Sequence, residues 1–177
     1  MRISEEYRKA NRLLHKSNPK YGTSGAKWAK KVARLIARTG AETVLDYGCG
    51  KGLLAAGLPD ANSREYDPAV PGKDAEPEPA DLVVCTDVLE HIEPDCLDAV
   101  LDHLRQVTRK HAFVNISTRA AVKFLEDGRN AHLIIQPPGW WKTRIEKYFE
   151  IKQWKPAGTE VNALLRPIQR IPAAASR

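Results

Sequence analysis

Three glycines alternate with other residues in the segment Gly48-Cys49-Gly50-Lys51-Gly52, which follows the apolar pair Val44-Leu45 and the acid Asp46. Glycine tolerates positive φ and carries no Cβ, so a backbone of this kind can approach a bound molecule closely. The pattern predicts a strand that ends in a ligand-binding turn and continues into a helix. Dinucleotide-binding turns have the spacing G-x-G-x-x-G, whose third glycine would replace Leu53. A tight turn without a ligand is the simpler alternative.

A carboxylate suited to binding a sugar follows in the run Arg64-Glu65-Tyr66-Asp67-Pro68. Asp67 lies about 20 positions past Gly48, where an acid at the tip of the second strand can accept hydrogen bonds from ribose hydroxyls. Glu65 is the competing acid, but alternation along a strand points it away from the side of Tyr66. An ordinary Asp-Pro turn is the alternative.

An apolar run from Leu82 to Cys85 is typical of a strand buried on both faces of a parallel sheet. Polar side chains follow it at the carboxyl end of the strand, where open α/β sheets bind their ligands. These side chains are Thr86, Asp87, Glu90 and His91.

Together, these segments resemble the class I S-adenosylmethionine-dependent methyltransferases of the small-molecule type. The glycine turn is similar to motif I of that family, and the sequence DLVVCTDVLEHI is similar to its fourth-strand motif. The resemblance implies an α/β fold, a three-layer α/β/α Rossmann-like sheet with an antiparallel terminal strand. It also implies that S-adenosyl-L-methionine is the cofactor and that the glycine turn passes under its methionyl part.

The resemblance extends to individual residues. The loop of residues 18–25, between the two helical stretches of the basic amino-terminal segment, would cover the carboxylate end of the cofactor, although a plain linker is the alternative. Asp74 resembles the family's acid near the adenine amino group. The residues expected to bind the cofactor are Tyr21, Gly22, Asp46, Gly48, Cys49, Gly50, Asp67, Pro68, Asp74, Thr86, Asp87 and Val88.

The region of the third strand is shortened. Only thirteen residues separate Asp67 from Asp81, and four of them are prolines, which restrict helix formation. A crossover helix and a strand need more residues than this interval offers. We therefore predict that the third strand is lost or reduced to an extended edge segment.

Methyl transfer requires the acceptor atom to lie about 3–3.5 Å from the methyl group, and a hydroxyl or amine acceptor must lose a proton. His132, in a polar loop after the fifth strand, and His91 are the candidate bases. Arg129 is a candidate partner for a phosphate or carboxylate of the acceptor. Trp140 and Trp141 would form a stacking wall for a ring, or else cap the core.

Composition indicates one domain of ordinary type, because 42% of the 177 residues are apolar and 28% are charged. No apolar stretch approaches the length of a membrane span, so we predict a cytoplasmic protein without a membrane partner. The three cysteines lack the paired spacing of a disulfide framework or a zinc site, and we predict no metal.

Charge is concentrated at the amino terminus, where residues 1–40 contain eleven Lys or Arg and two Glu. We predict that residues 1–40 form a basic helical segment packing on the core. Its basic face is either solvated or binds a polyanion. Residues 41–166 would form the methyltransferase core, and residues 167–177 a flexible tail.

The predicted activity is methyl transfer to an O or N atom of a small or medium-sized acceptor, including anionic or polymer-attached ones. The alternatives are a nucleic-acid methyltransferase and a non-catalytic polyanion-binding module with a vestigial cofactor pocket. The Pro-Cys nucleophile of cytosine C5 methylation is missing, since Val84 precedes Cys85. A nicotinamide-dependent oxidoreductase is disfavoured by Leu53.

Overall fold

The computed structural model describes residues 1–169, which form five α-helices and six β-strands. The helices are α1 (Glu5–Ser17), α2 (Ala29–Thr39), α3 (Leu53–Ala56), α4 (Leu97–Gln106) and α5 (Pro138–Ile145). The strands are β1 (Val44–Tyr47), β2 (Ser63–Tyr66), β3 (Ala80–Thr86), β4 (Thr108–Ser117), β5 (Phe149–Ala157) and β6 (Glu160–Pro167). A short 3-10 helix, Ser24–Trp28, leads into α2.

The six strands form one sheet in the order β2-β1-β3-β4-β6-β5. Strands β2, β1, β3 and β4 are parallel, whereas β6 runs antiparallel to both β4 and β5. The predicted Rossmann-like sheet with an antiparallel terminal strand is therefore confirmed. The chain goes from β1 to its neighbour β2 and then crosses to β3, on the other side of β1. In such sheets ligands bind beside the strand where the order reverses, outside the carboxyl ends of the strands.

Strand β3 is buried along its whole length, as its apolar run predicts. Its side chains alternate between two apolar clusters, one on each face of the sheet. Val83 packs in the cluster that contains α4, whereas Val84 packs with Val32 and Leu35 of α2. The apolar side of α2 therefore covers one face of the sheet. Gly40 ends this helix in the left-handed conformation at φ +61°.

The third strand of the expected order is absent from the described residues. The segment 67–79 joins β2 to β3 without a helix or strand of its own. Backbone hydrogen bonds from Asp67, Val70 and Lys73 fold its first part into consecutive turns. Strand β2 therefore forms the edge of the sheet, which agrees with the predicted shortening.

The first residues of the chain contact this segment and the cavity at the end of the sheet. Arg2 pairs with Glu76, with two nitrogen–oxygen distances of 2.9 and 2.6 Å. The same carboxylate lies 2.7 Å from His103 of α4, whose other ring nitrogen lies 2.8 Å from the Tyr47 hydroxyl. Within α1, Tyr7 is buried and donates a hydrogen bond to the carbonyl oxygen of His91 at 2.6 Å.

None of the helices among residues 1–169 is both long and apolar enough to cross a membrane. Part of the predicted tail, residues 170–177, lies outside the described residues. Pro167, where that tail was expected to begin, is instead the last residue of β6.

Candidate active site

A cavity of about 400 Å³ lies at the carboxyl ends of β1, β2 and β3. This volume falls within the range of pockets that hold small molecules. Its far wall comes from the amino-terminal segment, including Tyr7 and Tyr21, and its rim from the loop after β4. Most residues expected to bind a cofactor line it: Tyr21, Gly22, Asp46, Gly48, Cys49, Gly50, Asp67, Pro68, Thr86, Asp87 and Val88.

The glycine turn after β1 packs closely against the loop before the 3-10 helix. Gly50 has φ +51°, and a Cβ added to it would lie 2.7 Å from the carbonyl oxygen of Gly22. The same oxygen accepts a hydrogen bond from the backbone of Lys51 at 2.9 Å. Both positions therefore need glycine, because the two backbones touch where any other residue would place a side chain.

Asp67 connects the tip of β2 to the glycine turn. One carboxylate oxygen accepts a hydrogen bond from the backbone of Gly50 at 3.0 Å, and the other accepts one from Ala69 at 2.9 Å. A carboxylate offers about four acceptor positions, so about two remain for a ligand in the cavity.

Asp46 is buried at the end of β1, and one of its carboxylate oxygens has no hydrogen-bond partner. Burial raises its pKa to about 7, and repulsion from Glu65 adds to the shift. A buried carboxylate without a partner is costly, and a cationic group in the cavity would supply the missing donor.

The end of β3 and the residues just after it supply three further cavity residues, which are Thr86, Asp87 and Val88. Asp87 has φ +55°, the left-handed region that residues other than glycine seldom adopt, and its carboxylate lies 3.0 Å from the ammonium of Lys27. Val88 packs so tightly on the turn that a Cβ at Gly48 would lie 2.4 Å from its side chain. The absence of a side chain at Gly48 therefore allows the end of β3 to approach the turn after β1.

Two histidines and a glutamate meet at the other end of the cavity. The rings of His91 and His132 lie edge to face, with centroids 4.7 Å apart. Burial lowers the pKa of His91 to about 4 and raises that of the adjacent Glu90 to about 8. His132 donates its Nδ1 hydrogen to the carbonyl oxygen of Arg119 across 2.6 Å, because a carbonyl can only accept. In the neutral ring, Nε2 then carries the lone pair.

Four predicted site residues lie outside the cavity lining. Asp74 is exposed in the segment 67–79, and its carboxylate accepts a hydrogen bond from Gly72. Arg129 is paired with Asp127 at 2.6 Å on the surface. Trp141 is fully buried in the core and Trp140 packs against that core, so they form no stacking wall in this cavity.

The site also contains residues that were not among the predicted site residues, including Tyr7, Lys27 and Glu90. Tyr7 and Lys27 reach the cavity from the amino-terminal segment, and only the tertiary fold brings them there. Glu90 sits in the sequence Val88-Leu89-Glu90-His91-Ile92, where a single acid among apolar residues was a usable signal of a buried carboxylate.

Residues 21–162 match the family model of a methyltransferase domain. The chain belongs to this family. Together with the sheet order, the match makes it a class I S-adenosylmethionine-dependent methyltransferase. The matched residues run from Tyr21, at the wall of the cavity, into β6, and so include the glycine turn, Asp67 and both histidines.

Solved methyltransferase structures share this fold. A 1,6-didemethyltoxoflavin-N1-methyltransferase from Burkholderia thailandensis, with bound 1,6-didemethyltoxoflavin and S-adenosylhomocysteine, superposes with a TM-score of 0.67 at 18% identity over 96% of this chain and 92% of that one. The DhpI complex with SAH gives 0.63 at 13% identity, over 95% and 100% of the two chains. The mitomycin 7-O-methyltransferase MmcR gives 0.61 at 17%, over 88% and 60%. A comparison with curated protein sequences found no match.

The residues present fit the cofactor of this methyltransferase family. S-Adenosylmethionine carries a ribose, a carboxylate and two positively charged groups, the sulfonium and the ammonium. The cavity offers free acceptor positions on Asp67 and an unpartnered carboxylate oxygen on Asp46. The fit rests on these groups together with the close backbone at Gly48 and Gly50.

The pKa of Asp46 predicts how cofactor affinity depends on pH. Since the folded pKa of about 7 exceeds the ordinary value of 3.8, the folded chain retains a proton there, and the contribution of Asp46 to folding stability falls as pH rises from about 4 to about 7. Binding an ammonium group favours the ionised carboxylate. We therefore expect calorimetric affinity for S-adenosylhomocysteine to increase about tenfold from pH 6 to pH 8. The Asp46→Asn variant should lose this increase, and an equal slope in both proteins would contradict the assignment.

Proposed function

We propose that this methyltransferase transfers a methyl group from S-adenosylmethionine to an O or N atom of a small or medium-sized acceptor, including anionic ones. The observation that carries the proposal is one cavity into which the glycine turn, Asp67 and the pair His91–His132 all face. A cofactor held by the first two groups and an acceptor held beside the histidines would share this one cavity.

On the cofactor side, the chain supplies acceptors where the cofactor has donors. The free positions of Asp67 are suited to ribose hydroxyls, and the unpartnered oxygen of Asp46 to the ammonium group. Tyr21 and Gly22 close the cavity over the glycine turn. When bound, the cofactor supplies an electrophilic methyl group on a sulfonium, and loss of that methyl leaves a neutral thioether.

On the acceptor side, His132 is the residue best suited to receive a proton. Its Nδ1 hydrogen is held by Arg119, so the lone pair on Nε2 is available to a hydroxyl or amine. His91 packs against this ring, and burial keeps it neutral near pH 7. We therefore assign His132 as the general base and His91 as the residue that positions it.

The rim of the cavity favours acceptors with negative charge. Arg119 and Lys123, from the loop after β4, both line it. Arg129, the predicted anion partner, is already paired with Asp127 on the surface. Two cations of the basic amino-terminal segment are paired with carboxylates of the methyltransferase core, since Arg2 pairs with Glu76 and Lys27 with Asp87.

Replacing His132 by alanine is expected to lower turnover by about 100-fold, within the range contributed by a positioned base. Affinity for S-adenosylhomocysteine should stay within about twofold, since His132 lies on the acceptor side. Turnover is followed by transfer of labelled methyl, and affinity by calorimetry. His111→Ala, in β4 and outside the cavity lining, serves as the control. A fully active His132→Ala variant would remove His132 from this role.

The proposed function itself is tested with methyl-labelled S-adenosylmethionine and a panel of phenols, amines and anionic sugars, with RNA and DNA in parallel. Calorimetry with S-adenosylhomocysteine is performed on the same preparation. Labelled small molecules together with a heat of binding support the proposal. Tight, salt-sensitive binding of nucleic acid without any heat from S-adenosylhomocysteine would overturn it in favour of a polyanion-binding module.

A further inference from the structure

We propose that Glu90, His91 and His132 form a binding site for a divalent transition-metal ion at the acceptor end of the cavity. Each residue offers one ligand atom, and these three atoms lie within 4.8 Å of one another. Ligand atoms that share one ion are about 3–4 Å apart, since each is about 2.0–2.2 Å from the metal. A small closure of the side chains would therefore complete the site.

Two of the three residues carry buried polar atoms that have no partner. Glu90 is fully buried, and its Oε2 atom accepts no hydrogen bond. The Nδ1 atom of His91 is likewise buried and unpartnered. Buried polar atoms are normally hydrogen-bonded, so two such atoms in adjacent residues need an explanation. An ion that accepts electron pairs from both would provide one.

The contacts behind these residues orient them as metal ligands are usually oriented. Metal-binding histidines commonly donate their other ring hydrogen to a backbone carbonyl. His132 does so to Arg119, and the ring of His91 interacts with the backbone of Ala131. The second oxygen of Glu90 accepts a hydrogen bond from the backbone of Ser117 at 2.9 Å. Each side chain is therefore held in place through the atom that the ion would not use.

The ligand set indicates the class of metal. Two imidazoles and one carboxylate suit Zn²⁺, Fe²⁺, Mn²⁺ or Co²⁺, whereas Mg²⁺ and Ca²⁺ prefer oxygen ligands alone. Three protein ligands leave at least one coordination position open. Both histidines line the cavity and Glu90 is buried behind them, so the open position faces the acceptor.

This inference rests on the proposed function and refines the acceptor to one with a hydroxyl group. A hydroxyl that coordinates the ion has a lower pKa and can release its proton to solvent water near neutral pH. The lone pair on Nε2 of His132 would then bind the ion, and water would take the proton in place of that histidine. Loss of His132 would reduce turnover in either case, so the deciding measurement is binding of the metal.

The experiment uses the full chain, freed of any polyhistidine tag and treated with EDTA, in calorimetric titrations with Zn²⁺ and Mn²⁺. We expect one ion per chain. Glu90→Gln and His91→Ala should each weaken binding by at least about tenfold. Glu90→Gln is nearly isosteric and retains an oxygen for Ser117, so its fold should survive, which circular dichroism checks. His111→Ala is the control and should bind as the wild type does.

The readings separate this inference from the proposed function. Absence of binding, or equal binding by the wild type and both site variants, would overturn the metal site. Titration of the EDTA-treated chain with S-adenosylhomocysteine tests the cofactor site independently, since Asp67 and the glycine turn are not metal ligands here. If S-adenosylhomocysteine binds but Zn²⁺ and Mn²⁺ do not, the metal site is overturned and the proposed function stands.

Discussion

Replacing Gly50 by alanine is expected to weaken binding of S-adenosylhomocysteine by at least about 100-fold, equivalent to about 2.7 kcal/mol. The added Cβ would lie 2.7 Å from the carbonyl oxygen and 2.8 Å from the Cα of Gly22. These are backbone atoms, which cannot rotate away as a side chain can. Relief of the collision would separate the two loops and disturb the hydrogen bond from Gly50 to Asp67.

A matched control separates this collision from the strain of left-handed backbone, which costs about 1–2 kcal/mol for residues other than glycine. Gly158, in the turn between β5 and β6, has φ +60°, and an added Cβ there meets nothing within 4 Å. Gly158→Ala should therefore lose some stability but retain its affinity. Calorimetry and thermal unfolding measure the two effects. A folded Gly50→Ala protein with wild-type affinity would refute the assigned role of the glycine turn.

Replacing Asp67 by alanine should weaken binding of S-adenosylhomocysteine by about 1.5–3 kcal/mol, or about 10- to 150-fold. The variant loses the charged acceptor proposed for the ribose hydroxyls. It also frees the backbone hydrogens of Gly50 and Ala69, which Asp67 now holds. Both losses act in the same direction, because the glycine turn is positioned partly through this carboxylate.

Two other acids of the same region serve as comparisons for Asp67. Glu65 is the competing acid on β2 and pairs with Lys73 at 3.0 Å. Asp74 is exposed and outside the cavity lining. Asp74→Ala should bind normally, and Glu65→Ala should retain most of its affinity. A large loss in Glu65→Ala beside a normal Asp67→Ala would transfer the ribose role to Glu65.

The residues proposed to bind the cofactor could be predicted from the sequence to lie together because their signals are local, and most of them line one cavity. Three glycines at alternate positions and an acid at the tip of β2 have few other physical explanations when they follow short strands. The loss of a strand after Asp67 could be predicted equally well, because this region has too few residues and too many prolines for both a helix and a strand. These features depend on neighbours along the chain.

The residues on the acceptor side of the cavity were harder to predict from the sequence, because their positions depend on packing between distant segments. Whether Trp141 faces a cavity or the core depends on the helix against which it packs, and the structure buries it completely. Arg129 is bound by Asp127, two positions away, through contacts in an exposed loop. The contact of Tyr7 with the backbone of His91 joins residues 84 positions apart, which no local pattern reveals.

The chain of contacts from Arg2 through Glu76 and His103 to Tyr47 joins four separate stretches of sequence. It ends on the last residue of β1, directly before the glycine turn. Exchanging the amino-terminal segment for that of a relative would therefore leave Glu76 without its guanidinium partner unless an equivalent cation came with the graft. In this enzyme, the amino-terminal segment and the segment 67–79 depend on each other through this contact, and a chimera should therefore exchange both segments together.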